Sequence, residues 1–192
     1  MSNHQHSRQF NYAQRERMLP AEKILLRFGL KLGQHLADLG CGQGYFALKA
    51  AEIVGAEGIV KAVEINRERL EILQQAAQER GLAARIKTCL AQEERIPLAD
   101  QDVDRALIST VLHELHDPLN YLRDTQRILR TNGEVWVIEW QKKEMAMGPP
   151  LSERLSVEEW VRMLEEAGFK DIWAQVFAPA HILLRGKVNV SE

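Results

Sequence analysis

A turn with three alternating glycines limits what this chain can fold into more than any other feature of its sequence. Gly40, Gly42 and Gly44 follow a short apolar run, and a helical pattern begins at Tyr45. Glycine accepts positive φ angles and lets another group approach the backbone closely. The helix that follows leaves unpaired N–H groups at its first turn. The sequence therefore predicts a strand, a tight turn and a helix, with a ligand lying against the backbone of the turn.

Two classes of cofactor bind at such a joint, and the residue spacing separates them. Dinucleotide sites carry the pattern G-x-G-x-x-G, whose last glycine lets the helix pack closely on the strand. Counting from Gly40, the bulky Tyr45 stands where that last glycine is required. The pattern in this chain is instead D-x-G-x-G-x-G, from Asp38 to Gly44. The spacing therefore disfavours a dinucleotide.

An acidic residue, Glu64, ends the second predicted strand, 20 residues after Gly44. A carboxylate can accept hydrogen bonds from both hydroxyls of a ribose, and an acidic residue at this position binds ribose in Rossmann-like folds. The alternative interpretation is a solvated strand end. Because the glycine turn lies upstream, we assign Glu64 and its neighbour Ile65 to a nucleoside site.

The spacing of apolar residues predicts short strands that alternate with helices. Strands are predicted at residues 35–39, 59–64, 86–91, 103–109 and 135–140, and a closing hairpin at 171–177 and 181–186. A helix is predicted to begin at Asp117 and Pro118 and to end at Asn132 and Gly133. Residues 1–19 are predicted to form a lid or a tail.

Two polar side chains, His113 and Glu139, are candidates for catalysis. They lie near the carboxyl ends of predicted strands, where parallel α/β sheets bind their ligands. An imidazole can take a proton from an acceptor near neutral pH, which makes His113 or Glu139 a possible general base. Simple hydrogen bonding within the loop remains an alternative for His113 and is preferred for His116. No metal site is predicted, because H-E-L-H lacks the spacing of H-E-x-x-H.

Composition narrows the classes of partner. The chain has 192 residues, enough for one domain over 1–192, and its 27 acidic and 25 basic residues give a net charge of −2. No basic face for nucleic acid is expected. The two cysteines, Cys41 and Cys89, favour reduced thiols, and no apolar run approaches the ~20 residues that span a bilayer. We expect a cytoplasmic protein without a membrane span, acting as a monomer or homodimer.

Together these motifs resemble those of the class I S-adenosylmethionine (SAM) dependent methyltransferases. The residues around His113 and the segment from Glu139 to Pro150 are similar to small bacterial members related to the quinone-biosynthesis (UbiE-like) methyltransferases. The resemblance implies an α/β fold, a Rossmann-like three-layer sandwich. Its seven-stranded, mostly parallel sheet would have the order 3-2-1-4-5-7-6, with the last strand antiparallel.

The resemblance also implies SAM as the cofactor and assigns residues to it. In the family, the first acidic residue and the glycine turn hold the methionine end, and an acidic residue after the third strand accepts a hydrogen bond from the adenine amino group. Here Gln92 occupies that place and Glu93 follows it, so either residue could make the contact. The residues assigned to the cofactor are Asp38, Gly40, Cys41, Gly42, Gly44, Glu64, Ile65, Gln92, Glu93 and Ser109.

The function that the resemblance implies is methyl transfer from SAM to an unidentified small-molecule acceptor. The displacement would be in line and would leave S-adenosylhomocysteine (SAH). Two alternatives stay open: an RNA or protein methyltransferase with the same core, and a SAM-binding protein without turnover.

Overall fold

The computed structural model describes residues 12–92, 94–177 and 179–188. Its seven strands form one sheet, and their bounds are β1 (His35–Leu39), β2 (Ile59–Glu64), β3 (Ile86–Leu90), β4 (Val103–Ser109), β5 (Leu129–Trp140), β6 (Phe169–Phe177) and β7 (His181–Val188). The strand order is β3-β2-β1-β4-β5-β7-β6. Strand β7 runs antiparallel to both of its neighbours, and the other four pairings are parallel. The predicted fold class is confirmed.

Six α-helices connect or precede the strands within the described residues. They are α1 (Tyr12–Met18), α2 (Ala21–Phe28), α3 (Tyr45–Val54), α4 (Arg67–Glu79), α5 (Pro118–Ile128) and α6 (Val157–Glu166). Local capping sets several of their starts: the Asn66 side chain accepts a hydrogen bond from the Arg69 N–H, and Ser156 with Glu159 forms a capping box. None of the described helices is long and apolar enough to cross a membrane.

The sheet has two buried faces, which we call face A and face B. Side chains of alternate residues point to opposite faces of a strand. Face A includes Leu36, Leu107 and Trp136, and packs with α2, α3 and α4. Face B carries, among others, Ile108 and Val137, and packs with α5 and α6. This arrangement is the three-layer sandwich that the family resemblance implies.

The boundary between α5 and β5 differs from the prediction. The helix ends at Ile128, and β5 already begins at Leu129, which pairs with Val103 of β4. The residues predicted to end the helix, Asn132 and Gly133, lie inside β5, where the register shifts and Asn132 has a φ of 63°. Pairing with β4 therefore outweighs the local Asn-Gly signal, which marks a bulge in the strand.

Candidate functional site

A cavity of about 470 Å³ lies where β1, β2 and β4 end. This is the edge of a parallel sheet at which ligands bind. The structure brings six of the predicted cofactor residues together in its wall: Gly40, Cys41, Gly42, Glu64, Ile65 and Ser109.

The glycine turn leaves its backbone open toward this cavity. Gly40, Gly42 and Gly44 all have positive φ angles, of 75°, 55° and 88°. A Cβ atom at Gly42 would meet no atom of the described residues within 4 Å, so a ligand can approach there. Gly44 does not line the cavity; a Cβ at that position would lie 2.2 Å from Cδ1 of Leu73. Gly44 therefore serves the close packing of α3 against α4.

The carboxylate of Glu64 ties the end of β2 to the glycine turn. Its Oε2 accepts a hydrogen bond from the Gly42 N–H at 2.9 Å, and its Oε1 accepts from the N–H groups of Ile65 and Asn66, both at 3.0 Å. Glu64 is only 4% exposed. A carboxylate has about four acceptor sites, so Oε2 keeps capacity for one further donor from the cavity.

Asp38 is a buried carboxylate that lacks a partner on one oxygen. It is 2% exposed, and its Oδ2 has no hydrogen-bond partner among the described residues. Burial raises the pKa of Asp38 to about 7, while the positive charge of Arg15 opposes the rise. Asp38 does not itself line the cavity but lies just before the turn that does. A cationic ligand group that reached Oδ2 would relieve the cost of this burial.

Helix α1 brings Arg15 to the rim of the cavity. No sequence motif indicated that Arg15 would lie there. The Tyr45 hydroxyl anchors this region by donating a hydrogen bond to the Leu19 carbonyl at 2.7 Å, and the Arg15 guanidinium lies 4.9 Å from the Tyr45 ring centroid. Arg15 also acts on His181, whose pKa burial lowers to about 4 with help from that charge. The part of the predicted lid within residues 1–11 lies outside the described residues.

Of the two predicted adenine contacts, only Gln92 is described, and it does not line the cavity. Gln92 is exposed and forms an isolated bridge with Arg95, and Glu93 lies outside the described residues. Glu94, which the sequence analysis did not assign, lines the cavity instead. Its carboxylate accepts hydrogen bonds from the N–H groups of His116 and Asp117. Glu94 therefore joins the turn after β3 to the loop that carries His113.

His113 and Glu139 form a buried pair beside the cavity. Nδ1 of His113 lies 2.8 Å from Oε2 of Glu139, and the two side chains are 7% and 1% exposed. Burial alone would lower the pKa of His113, but the hydrogen bond and charge of Glu139 outweigh it and raise that pKa above its ordinary value. Neither residue lines the cavity, whereas Glu114 does, and its Oε1 lies 3.8 Å from Nε2 of His113.

Glu139 of this pair lies on the opposite face of the sheet from the buried residues Asp38 and Ser109. Glu139 is paired with Ile182, a face B residue, whereas Ser109 is in register with Ile138 on face A. Asp38 pairs with Leu107, which also belongs to face A. A ligand that contacted both the pair His113–Glu139 and either Asp38 or Ser109 would therefore have to extend across the edge of the sheet.

Arg154, another residue that the sequence analysis did not assign, holds the loop over residues 141–150. It is 4% exposed, and its guanidinium donates hydrogen bonds to the carbonyls of Gln141, Lys143, Met147 and Pro149. The backbone of Gly148 packs on the Trp140 ring, since a Cβ there would lie 2.8 Å from Cε3. The loop is thus fixed against the end of β5, next to Glu139.

Comparison with known proteins gives a family match over most of the chain. A family model described as a methyltransferase domain matches residues 30–173. The chain is 32% identical over 114 residues to the ubiquinone/menaquinone biosynthesis C-methyltransferase UbiE of Haemophilus ducreyi, which is 59% of this chain and 44% of that protein. The protein of the same name from Serratia proteamaculans is 32% identical over 124 residues, or 65% and 48%. The chain thus spans about half the length of these curated relatives.

Solved structures show the same fold. The structure is similar to a SAM-dependent methyltransferase from Aquifex aeolicus, with a TM-score of 0.85, 26% identity, and coverage of 94% of this chain and 100% of that one. It is also similar to the [4+2]-cyclase SpnF, with a TM-score of 0.76, 20% identity, and coverage of 95% and 86%. The second likeness concerns the fold alone.

Proposed function

We propose that this chain, which belongs to the methyltransferase domain family, transfers the methyl group of SAM to a small-molecule acceptor. The observation that carries the proposal is the shared cavity wall of the glycine turn and Glu64. The family match and the structural neighbour named as SAM-dependent support SAM as the cofactor. The relatives named for quinone biosynthesis support a small-molecule acceptor.

The described residues fit SAM at both of its ends. The unpartnered Oδ2 of Asp38 suits the ammonium of the methionine end, and the open backbone at Gly42 allows that end to lie close. The spare capacity of Glu64 suits a ribose hydroxyl. The side chain of Ile65, 67% exposed in the cavity wall, offers an apolar surface for a purine ring.

The chain's own task in such a reaction is alignment and exclusion of water. The sulfonium methyl of SAM is already activated when it is bound. Holding the acceptor in line with that methyl can supply on the order of 7–11 kcal/mol of the barrier. The loop fixed by Arg154 and the pair His113–Glu139 lie together at the end of β5, where we place the acceptor.

Calorimetric titration with SAM, SAH and NADH tests the proposal directly. We expect micromolar binding of SAM and SAH and no binding of NADH, because Tyr45 occupies the position of the third dinucleotide glycine. Binding of NADH alone would overturn the cofactor assignment. Because a [4+2]-cyclase shares the fold, radiolabelled methyl transfer to a panel of small-molecule hydroxyl, amine and carbon acceptors must follow. Tight SAM binding with no labelled product from any acceptor would favour a binding protein without turnover.

The pair His113–Glu139 can act on an acceptor by taking up or releasing a proton at the His113 imidazole. We expect Glu139→Gln to lower the pKa of His113, because the charge that opposes burial is removed. Transfer that needs the neutral imidazole would then begin at lower pH than in the wild type. NMR titration of the imidazole Cε1–H resonances measures the shift without any acceptor.

His181 provides an internal reference in the same spectra. Burial and the charge of Arg15 lower its pKa to about 4. Both causes act on face A, the opposite face of the sheet from Glu139, so the pKa of His181 should not change in Glu139→Gln. An unchanged His113 titration in the variant would show that Glu139 does not control the protonation of the pair.

A further inference from the structure

Tyr121, in α5, lies in the cavity wall, and none of the described residues is a hydrogen-bond partner of its hydroxyl group. The residue lines the cavity and is 7% exposed, yet its hydroxyl makes no hydrogen bond to the residues that the structure describes. A tyrosine hydroxyl in a cavity wall can donate a hydrogen bond to a ligand. Because no described residue accepts that bond, we expect the partner of Tyr121 to be a group that enters the cavity.

The packing of α5 holds the Tyr121 ring in this place. Leu122 and Ile128 of the same helix are fully buried in the core of face B. The Thr125 hydroxyl donates to the Tyr121 carbonyl at 2.8 Å, which stays within the helix. If the ring only filled space, phenylalanine would serve without an unpaired oxygen. The hydroxyl is thus the part of Tyr121 that packing does not explain.

The surroundings of Tyr121 make its hydroxyl a hydrogen-bond donor. Burial, followed by the negative charges of Asp124, Glu64, Asp38 and Glu94, raises its pKa far above the ordinary value. The phenol therefore keeps its proton at any physiological pH. The same charges disfavour an anionic partner and favour a neutral acceptor, such as a purine nitrogen or a ribose oxygen.

We infer that Tyr121 is a cofactor-binding residue whose hydroxyl donates a hydrogen bond to the nucleoside half of SAM. This assignment rests on the proposed function and adds to it a residue that no sequence motif contains. The nucleoside half is indicated because Tyr121 shares the cavity wall with Glu64 and Ile65, to which we assign the ribose and the purine ring.

Calorimetry on Tyr121→Phe with SAH and with adenosine tests the assignment. The change removes one oxygen and leaves the ring, so folding is preserved. We expect SAH and adenosine to bind about 3–10-fold more weakly, by the same factor for both ligands. The melting temperature without ligand should be unchanged, because the hydroxyl has no partner among the described residues to lose. The increase in melting temperature on adding SAH should be smaller than in the wild type.

Tyr45→Phe is the matched control. The Tyr45 hydroxyl has protein partners, Glu16 and the Leu19 carbonyl, and Tyr45 does not line the cavity. We expect the opposite pattern there, a lower melting temperature with unchanged adenosine affinity.

Three results would overturn the assignment of Tyr121. Unchanged SAH and adenosine affinities in Tyr121→Phe would remove its hydroxyl from the site. Weaker SAH binding with unchanged adenosine binding would place the contact at the amino-acid end instead. In both cases wild-type binding of SAH would leave the proposed function intact. A wild-type protein that bound neither SAM nor SAH would overturn both proposals.

Discussion

Replacing Glu64 by alanine is expected to weaken SAM binding by about 100-fold or more. The change removes the acceptor that we assign to the ribose and also the carboxylate that holds the N–H groups of Gly42, Ile65 and Asn66. Hydrogen bonds to a charged group contribute about 1.5–3 kcal/mol each. The free energy of unfolding should fall by roughly 2–4 kcal/mol, since three N–H groups lose their partner together. Calorimetry with SAM and urea unfolding measure the two effects separately.

Two further variants separate the carboxylate's roles. Glu68→Ala changes an exposed residue at the start of α4 and should leave both SAM affinity and stability unchanged. Glu64→Gln keeps the size of the side chain but turns an amide N–H toward a backbone N–H, so its SAM affinity should lie between those of Glu64→Ala and the wild type. A dissociation constant for Glu64→Ala within twofold of the wild type would remove Glu64 from the cofactor site.

The parts of the site that the sequence predicted are those whose signal is local. Glycines at positions 40 and 42 and the acidic Glu64 follow strands directly, so strand prediction alone places them at one edge of the sheet. Asn66 likewise caps its helix by accepting a hydrogen bond from the N–H of Arg69, only three residues later. Such features need no knowledge of which elements pack together.

The residues that the sequence analysis missed reach the cavity through tertiary packing. Arg15 arrives on a helix that precedes the sheet, and Tyr121 arrives on a helix of face B, so neither has a neighbouring motif. Glu94 did have a local signal, since it is the third polar residue of the run after β3. The predicted boundary between α5 and β5 was wrong for the same reason. The local signal at Asn132 and Gly133 does not reveal that Leu129 pairs with Val103 of β4.

Asp38→Asn is expected to weaken SAH binding by about 10–100-fold and to remove part of its pH dependence. Burial raises the pKa of Asp38 to about 7 in the ligand-free protein. A ligand ammonium next to the carboxylate would lower that pKa, so binding near pH 7 releases a proton and weakens as pH falls. Above about pH 8 the amino group of the ligand loses its own charge. Wild-type affinity should therefore peak between these limits, and only the acid side of the peak should vanish in Asp38→Asn.

The stability of the ligand-free protein should move in the opposite direction. A carboxyl group whose pKa is raised on folding binds more protons in the native state than in the unfolded state. The contribution of Asp38 to the free energy of unfolding is therefore present below the unfolded pKa of about 4 and is lost as pH rises through about 7. Asparagine has no charge to bury, and Asp38→Asn should therefore melt at a higher temperature than the wild type at pH 8. Calorimetric titration across pH 6–9 and melting curves without ligand measure both effects. If the variant bound SAH as tightly as the wild type, the destabilisation of the folded protein by the buried Asp38 carboxylate would have no connection with cofactor binding. If it bound weakly but was no more stable at pH 8, the carboxylate would already have a partner in the free protein.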